Sequence, residues 1–155
     1  MKVATICFPI QGDTIFLANK KRSFGAGHLN GWGGKVDGDE SIAATASREL
    51  FEESTIETDP ADMELVAIID FFEETNHIFE CHVFFVRQWQ GTLQETEEMG
   101  IPEQFPLDSV PYERMWKSDH LWMPLICEGK KIRAKAIYKK GMAEVERFEC
   151  YNLYI

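Results

Sequence analysis

Three acids crowd one short stretch of the chain, and their spacing is the first sign of chemistry. In "NGWGGKVDGDESIAATASRELFEEST", running from Asn30 to Thr55, Glu49, Glu52 and Glu53 fall at separations of three and four residues. On a helix such separations share one face. Like charges there repel, and a helix C-terminus is itself partly negative, so both effects disfavour carboxylates at this end. A divalent cation among them removes both penalties. Hard cations such as Mg2+ take oxygen ligands, usually a few carboxylates together with a substrate phosphate. Arg48 can pair with Glu52 one turn on and hold it in place. Taken alone, the three acids read more plainly as a solvated helix face. The preceding loop weighs against that: "GWGGKVDGDE" sets three glycines before Lys35. Glycine lets backbone approach a ligand closely, and such a loop can turn backbone groups toward an anion or a metal.

The elements that must position these acids follow from pattern. A helix is expected from about Glu40 or Ser41 to Ser54, with Asp39 and Ser41 as N-cap candidates. Ile42, Ala43, Ala46 and Leu50 form its docking stripe. Ahead of it, "VATICFPI" and "TIFLANKKR" read as a hairpin across "QGD". "MELVAIIDFF" and "HIFECHVFFVRQW" are two further strands, followed by the acidic loop "QETEEMGIPEQ" and a short strand with a turn in "FPLDSVP". "SDHLWMPLICEGK" reads as a second helix, capped by Ser118 or Asp119, closed by Gly129 and interrupted or kinked by Pro124. "KIRAKAIY" and "EVERFECYNLYI" close the chain as strands. The order β-β-α-β-β-α-β-β implies an α+β fold.

At 155 residues, 45% hydrophobic and 12% aromatic, the sequence suits one globular domain spanning 1–155. No apolar run reaches the roughly 18 residues of a membrane helix, so no membrane role is expected. The first residues lack the pattern of a signal peptide, and a cytoplasmic location is expected. Cys7, Cys81, Cys127 and Cys150 are scattered and form no C-x-x-C pair, so they read as free thiols. A net charge of −10 argues against duplex nucleic acid as a partner, since that binding neutralises phosphates with basic side chains.

The spacing from Gly34 through Glu40 to Arg48-Glu49-Leu50-x-Glu52-Glu53-x-Thr55-Ile56 resembles the Nudix box, G-x5-E-x7-R-E-U-x-E-E-x-G-U, where U is aliphatic. Only the last glycine departs, being Thr55, which alters how the helix ends. "KKRSFGAGHLNGWGGKV", "EEMGIPEQFPLDSVPYERMW" and "SDHLWMPL" are similar to oxidised-purine nucleoside triphosphatases of the MutT type, and the similarity runs from about Thr5 to about Leu125. The resemblance implies a Nudix fold, an α-β-α sandwich around a mixed β-sheet. It also implies a pyrophosphohydrolase that uses Mg2+, with Mn2+ as an alternative, and acts as a monomer on a small nucleotide of the 8-oxo-dGTP kind. By resemblance, Gly33, Gly34, Glu49, Glu52, Glu53 and Glu98 serve the metal, with Glu97 the neighbour alternative to Glu98. Either Glu53 or Glu52 is the base, and Glu40 and Arg48 support the loop–helix geometry.

A base pocket needs stacking walls and a few polar groups. Asn30 can donate and accept; Trp116 and Phe24 can stack; Phe72 and Phe79 can form walls; Thr5, Lys20 and Lys35 match positions near sugar, base or phosphate. Vertebrate members carry two adjacent aspartates where this sequence has Ser118-Asp119, so one carboxylate remains to read the purine edge. Asp70 is expected near the pocket as an added polar group, while His28 and His82 read as ordinary loop and strand residues. Two further readings stand beside the leading one. One is a Nudix enzyme for unmodified dGTP, methylated purine nucleotides or dinucleoside polyphosphates. The other is a nucleotide-sensing module without turnover, which would be expected to have lost its metal acids.

Overall fold

The computed structural model describes residues 2–23 and 25–153. Its strands are β1 (Val3–Gln11), β2 (Thr14–Asn19), β3 (Leu29–Asn30), β4 (Met63–Glu73), β5 (Asn76–Val86), β6 (Glu103–Pro106), β7 (Ile132–Tyr138) and β8 (Val145–Asn152). Two α-helices join them, α1 (Ile42–Ser54) and α2 (Asp119–Cys127), with short 3-10 turns at Pro60–Asp62 and Tyr112–Arg114. Along the sheet the order is β3-β2-β1-β5-β4-β7-β8, with β6 on β2. β1 runs parallel to β5 and β4 parallel to β7, while the remaining pairs are antiparallel. The sheet is therefore mixed.

Alternation along the strands sorts side chains into two cores, one on each side of the sheet. On β1, Phe8 and Ile10 join Ala67, Ile69 and Phe71 of β4 under Trp122, Met123 and Ile126 of α2. Cys7 turns the other way and meets Ala46 and Leu50 of α1, with Phe84 and Val86 of β5. Helices on opposite faces make the expected α-β-α sandwich. Among the described residues, no helix is long and apolar enough to cross a membrane.

α1 begins and ends close to where the sequence places it. Ser41 is the N-cap, its hydroxyl accepting the Ala44 N–H at 3.1 Å. Thr55 takes the left-handed conformation (φ 71°) and donates its N–H to Phe51 O at 2.8 Å. Its hydroxyl donates to Thr92 O at 2.8 Å, so this position keeps the backbone turn that glycine favours without being glycine.

Several boundaries differ from expectation. β2 stops at Asn19 instead of continuing to Arg22, because Lys20 and Lys21 turn toward the acidic loop: Lys20 bridges Met99, and Lys21 Nζ pairs with Glu95 at 2.7 Å. β5 ends at Val86, short of Trp89. The short strand expected in "FPLDSVP" is β6, which starts earlier, at Glu103, and ends at Pro106. β3 lies inside the glycine-rich loop and was not expected there. Ser118 precedes α2, but its hydroxyl is turned toward Tyr138 and not toward the helix's first turn. The helix continues through Pro124. Of the last strand, residues 154 and 155 lie outside the described residues.

Candidate functional site

The loop after β3 lies along β1 as an irregular extra strand. Trp32 and Cys7 exchange backbone bonds of 3.0 and 2.7 Å, Thr5 N–H donates to Gly34 O at 2.8 Å, and Val36 N–H donates to Val3 O at 2.9 Å. This close approach is why glycine is required. A Cβ on Gly33 would fall on the Thr5 carbonyl, and one on Gly34 would fall against the Glu49 carboxylate. The loop thereby sets its backbone directly against α1.

Between them opens a cavity of about 1140 Å³. On one side stand the acids. Glu53 accepts the Gly33 N–H at 3.2 Å. Burial pushes its carboxyl up to about 7, reinforced by the charge of Glu49 and opposed by the Gly33 N–H and Lys20. Burial also raises the Glu49 carboxyl, against the pull of Arg48. Arg48 reaches Glu40 through Nε at 2.9 Å and Nη2 at 3.0 Å, and its Nη1 reaches Glu49 and Glu52, both at 3.1 Å. Thr45 adds a bond to Glu40 at 2.8 Å, and these partners hold the Glu40 carboxyl low, Arg48 most of all. Arg48 therefore ties the start of α1 to its acidic end.

The expected site residues separate clearly by placement. Thr5, Lys20, Asn30, Gly33, Gly34, Lys35, Arg48, Glu49, Glu53, Glu98, Trp116 and Asp119 all line the one cavity. Thr5 is 2% exposed, and its hydroxyl sits 3.2 Å from Gly34 O and 3.4 Å from Gly34 N, so it fastens the loop. Glu52 stands outside the lining, 53% exposed and held by Arg48. Glu98 faces the cavity with an Arg22 partner at 3.3 Å, whereas Glu97 is 88% exposed. Phe24 lies outside the described residues.

Phe72 is a correction. It packs edge-on against His77 on the opposite face of the sheet, and Phe71 takes the wall position, stacked on Phe79 at 4.9 Å. The two adjacent phenylalanines point to opposite faces, beside a register irregularity between them. Asp70 goes with Phe72: it bonds His77 at 2.8 Å and Arg133 at 3.2 Å, away from the cavity. His28 is a loop residue, as expected, and its ring stands edge-on to Trp116 at 5.2 Å and lines the cavity. Trp122 and Cys81 also join the wall. Alternation on β5 puts Phe79 and Cys81 on one face, so that signal was present in the sequence; nothing in the sequence brings His28 to Trp116.

At the aromatic side, Asp119 is 6% exposed, and its Oδ2 accepts the Trp116 N–H at 3.2 Å. Burial pushes its carboxyl up to about 7, with the Trp116 N–H pulling the other way. Asn30 Oδ1 accepts the Gly31 N–H at 2.9 Å, which orients its amide.

A profile of the NUDIX domain matches residues 1–126. The chain belongs to the Nudix family. Among curated relatives, this Nudix chain is 37% identical over 130 residues to the oxidized purine nucleoside triphosphate hydrolase of Danio rerio, covering 84% of the chain and 82% of the relative. It is 38% identical over 131 residues to the protein of the same name from Mus musculus, with the same coverage. A mutator MutT protein from Bacillus halodurans shares its fold, with a TM-score of 0.81 at 21% identity over 97% of each chain.

The donor set of this Nudix site suits a hard divalent cation. Glu49, Glu53 and Glu98 bring carboxylate oxygens to one cavity, and burial raises the carboxyls of Glu49 and Glu53, although among the described residues no three acids stand close enough together to grip an ion unaided.

Proposed function

We propose that this chain is a Mg2+-dependent pyrophosphohydrolase, with Mn2+ as an alternative ion, that sanitises the nucleotide pool as a cytoplasmic monomer. Its substrates are oxidised purine nucleoside triphosphates of the 8-oxo-dGTP kind, released as monophosphate and pyrophosphate. One observation carries the reading: a single cavity joins the Glu49–Glu53 acids to an aromatic wall that bears one buried carboxyl, Asp119. The names of the Danio rerio and Mus musculus relatives support the substrate class.

Glu49, Glu53 and Glu98 would hold the cation, which when bound supplies charge neutralisation at the phosphates and activation of water. Glu53 is the general base in this reading. Its carboxylate is half-buried at the cavity, and the Gly33 N–H fixes its orientation, so it is placed to take a proton from an attacking water. Glu52, exposed and bound by Arg48, braces the helix. Lys20 and Lys35 lie where they can meet phosphate oxygens. The purine lies among Trp116, Phe71 and Phe79, while Asp119 and the Asn30 amide read its edge. Asp119 accepts when ionised and donates when protonated.

The test is pyrophosphate release across a panel of oxidised, methylated and unmodified nucleotides. The expected result is Mg2+-dependent turnover with kcat/KM for 8-oxo-dGTP well above that for dGTP. Glu53→Gln should lower kcat by about a hundredfold to ten-thousandfold. Equal kcat/KM for the two nucleotides would defeat the sanitising role, and absence of Mg2+-dependent turnover on every nucleotide would defeat the enzyme.

A further inference from the structure

Behind the wall that carries Trp116 and Asp119, two fully buried side chains hold one another. Ser118 sits between those wall residues, Tyr138 ends β7, and both are 0% exposed. The Tyr138 hydroxyl donates to Ser118 Oγ at 2.7 Å and accepts the Ser118 N–H at 3.1 Å. One hydroxyl therefore grips the backbone and the side chain of the same residue. Burial pushes the Tyr138 hydroxyl up to about 12, so it stays protonated and can donate.

The loop above this grip is closed on itself. Trp116 N–H donates to Asp119 Oδ2 at 3.2 Å, and Asp119 N–H donates to Trp116 O at 3.0 Å. The Trp116 and Tyr138 rings lie 6.2 Å apart, so ring and hydroxyl both bear on the loop. Tyr138 itself is anchored in the sheet, where it pairs with Glu73 of β4 and Val145 of β8. Among the described residues, Trp116 and Asp119 line the cavity and Ser118 and Tyr138 do not.

We infer that Tyr138 and Ser118 are positioning residues for substrate selection: their latch fixes the spacing between the Trp116 ring and the Asp119 carboxyl, and so sets how sharply the site separates modified from unmodified purines. The inference rests on the reading of this cavity as a purine nucleotide site. Its physical basis is the cost of leaving buried groups unpartnered. Without the Tyr138 hydroxyl, the Ser118 N–H and Oγ lose their partner in a dry interior, and the loop gains by shifting to find another. A polar group reading a base edge loses discrimination when its support loosens by a fraction of an ångström. Ser118 serves from behind, its hydroxyl turned away from the cavity.

The experiment compares wild type, Tyr138→Phe, Ser118→Ala and the double variant. It uses hydrogen exchange of the 116–119 amides, thermal melting, and kinetics on 8-oxo-dGTP and dGTP. In Tyr138→Phe those amides should exchange faster. KM for 8-oxo-dGTP should rise about tenfold, with a smaller change for dGTP and in kcat, so the preference narrows. The double variant should lose little beyond Tyr138→Phe, since both changes break one latch. Placed in an Asp119→Asn background, Tyr138→Phe should narrow the preference little further, a result that a merely structural role would not give. Unchanged amide exchange overturns the latch. Faster exchange with an unchanged nucleotide preference, or a uniform loss of kcat on every nucleotide, overturns its role in selection. A wild type without preference for oxidised purines refutes the sanitising reading and the selection role together, while exchange still reports on the latch.

Discussion

At the scale of single residues, Gly33 and Gly34 are adjacent but answer to different constraints. A methyl group on Gly33 meets the backbone of β1 at Thr5, which cannot move without disturbing the sheet. On Gly34 it meets the end of the Glu49 side chain, which can move. Gly33→Ala should therefore cost about 1–3 kcal/mol of stability, read by chemical denaturation. Gly34→Ala should melt within a few degrees of wild type yet lose at least about tenfold in kcat, because it displaces a carboxylate of the site. Equal stability losses in the two variants would refute this division. The same contrast marks Glu52 and Glu53: neighbours in sequence, one exposed on an arginine, the other half-buried against backbone.

At the scale of elements, α1 is a rigid carrier whose two ends do different work. Its N-terminus is closed by Ser41, far from the acids along the helix. Ser41→Ala should lower stability by about 1 kcal/mol, or about 2–4 °C in Tm, and leave KM unchanged. A change in KM would show that the cap also shapes the cavity. This helix was legible in sequence because cap, apolar stripe and acid spacing agree along one stretch. β3 was not, since two residues carry no period. Phe71 and Phe72 were hard to tell apart because "AIIDFF" carries apolar residues on both faces, with Asp70 the single polar mark of the Phe72 face, and a register irregularity falls between the two phenylalanines. The meeting of His28 with Trp116, and of Ser118 with Tyr138, depends on loops and strands brought together by the sheet, and no local pattern encodes it.

At the scale of the whole molecule, acidity and stability are coupled. Asp119 and Glu53 are both raised to about 7 in the fold, from ordinary values of 3.8 and 4.5. Between the ordinary and the raised value the folded protein binds more protons than the unfolded chain, so stability falls as pH rises through that window. Glu40 has the opposite sign, but its lowered value puts its loss below that range. Tm should thus be higher at about pH 5.5 than at about pH 8, and Asp119→Asn should narrow the difference. Mg2+ should raise Tm more at the higher pH, where the carboxylates are free of protons. A Tm that does not vary with pH would contradict the burial of these two acids. The position of β1 has a consequence of another kind, for the order in which the molecule assembles. It is made well before β5, yet it lies inside the sheet, where Val3 pairs with Glu80 and Pro9 with Val86. Until β5 leaves the ribosome, the β1–β2 hairpin shows an apolar, unpaired edge, and the cavity has no floor. Folding must therefore wait for a distant partner, and a growing chain halted before residue 80 should be more prone to aggregate than one halted after residue 86.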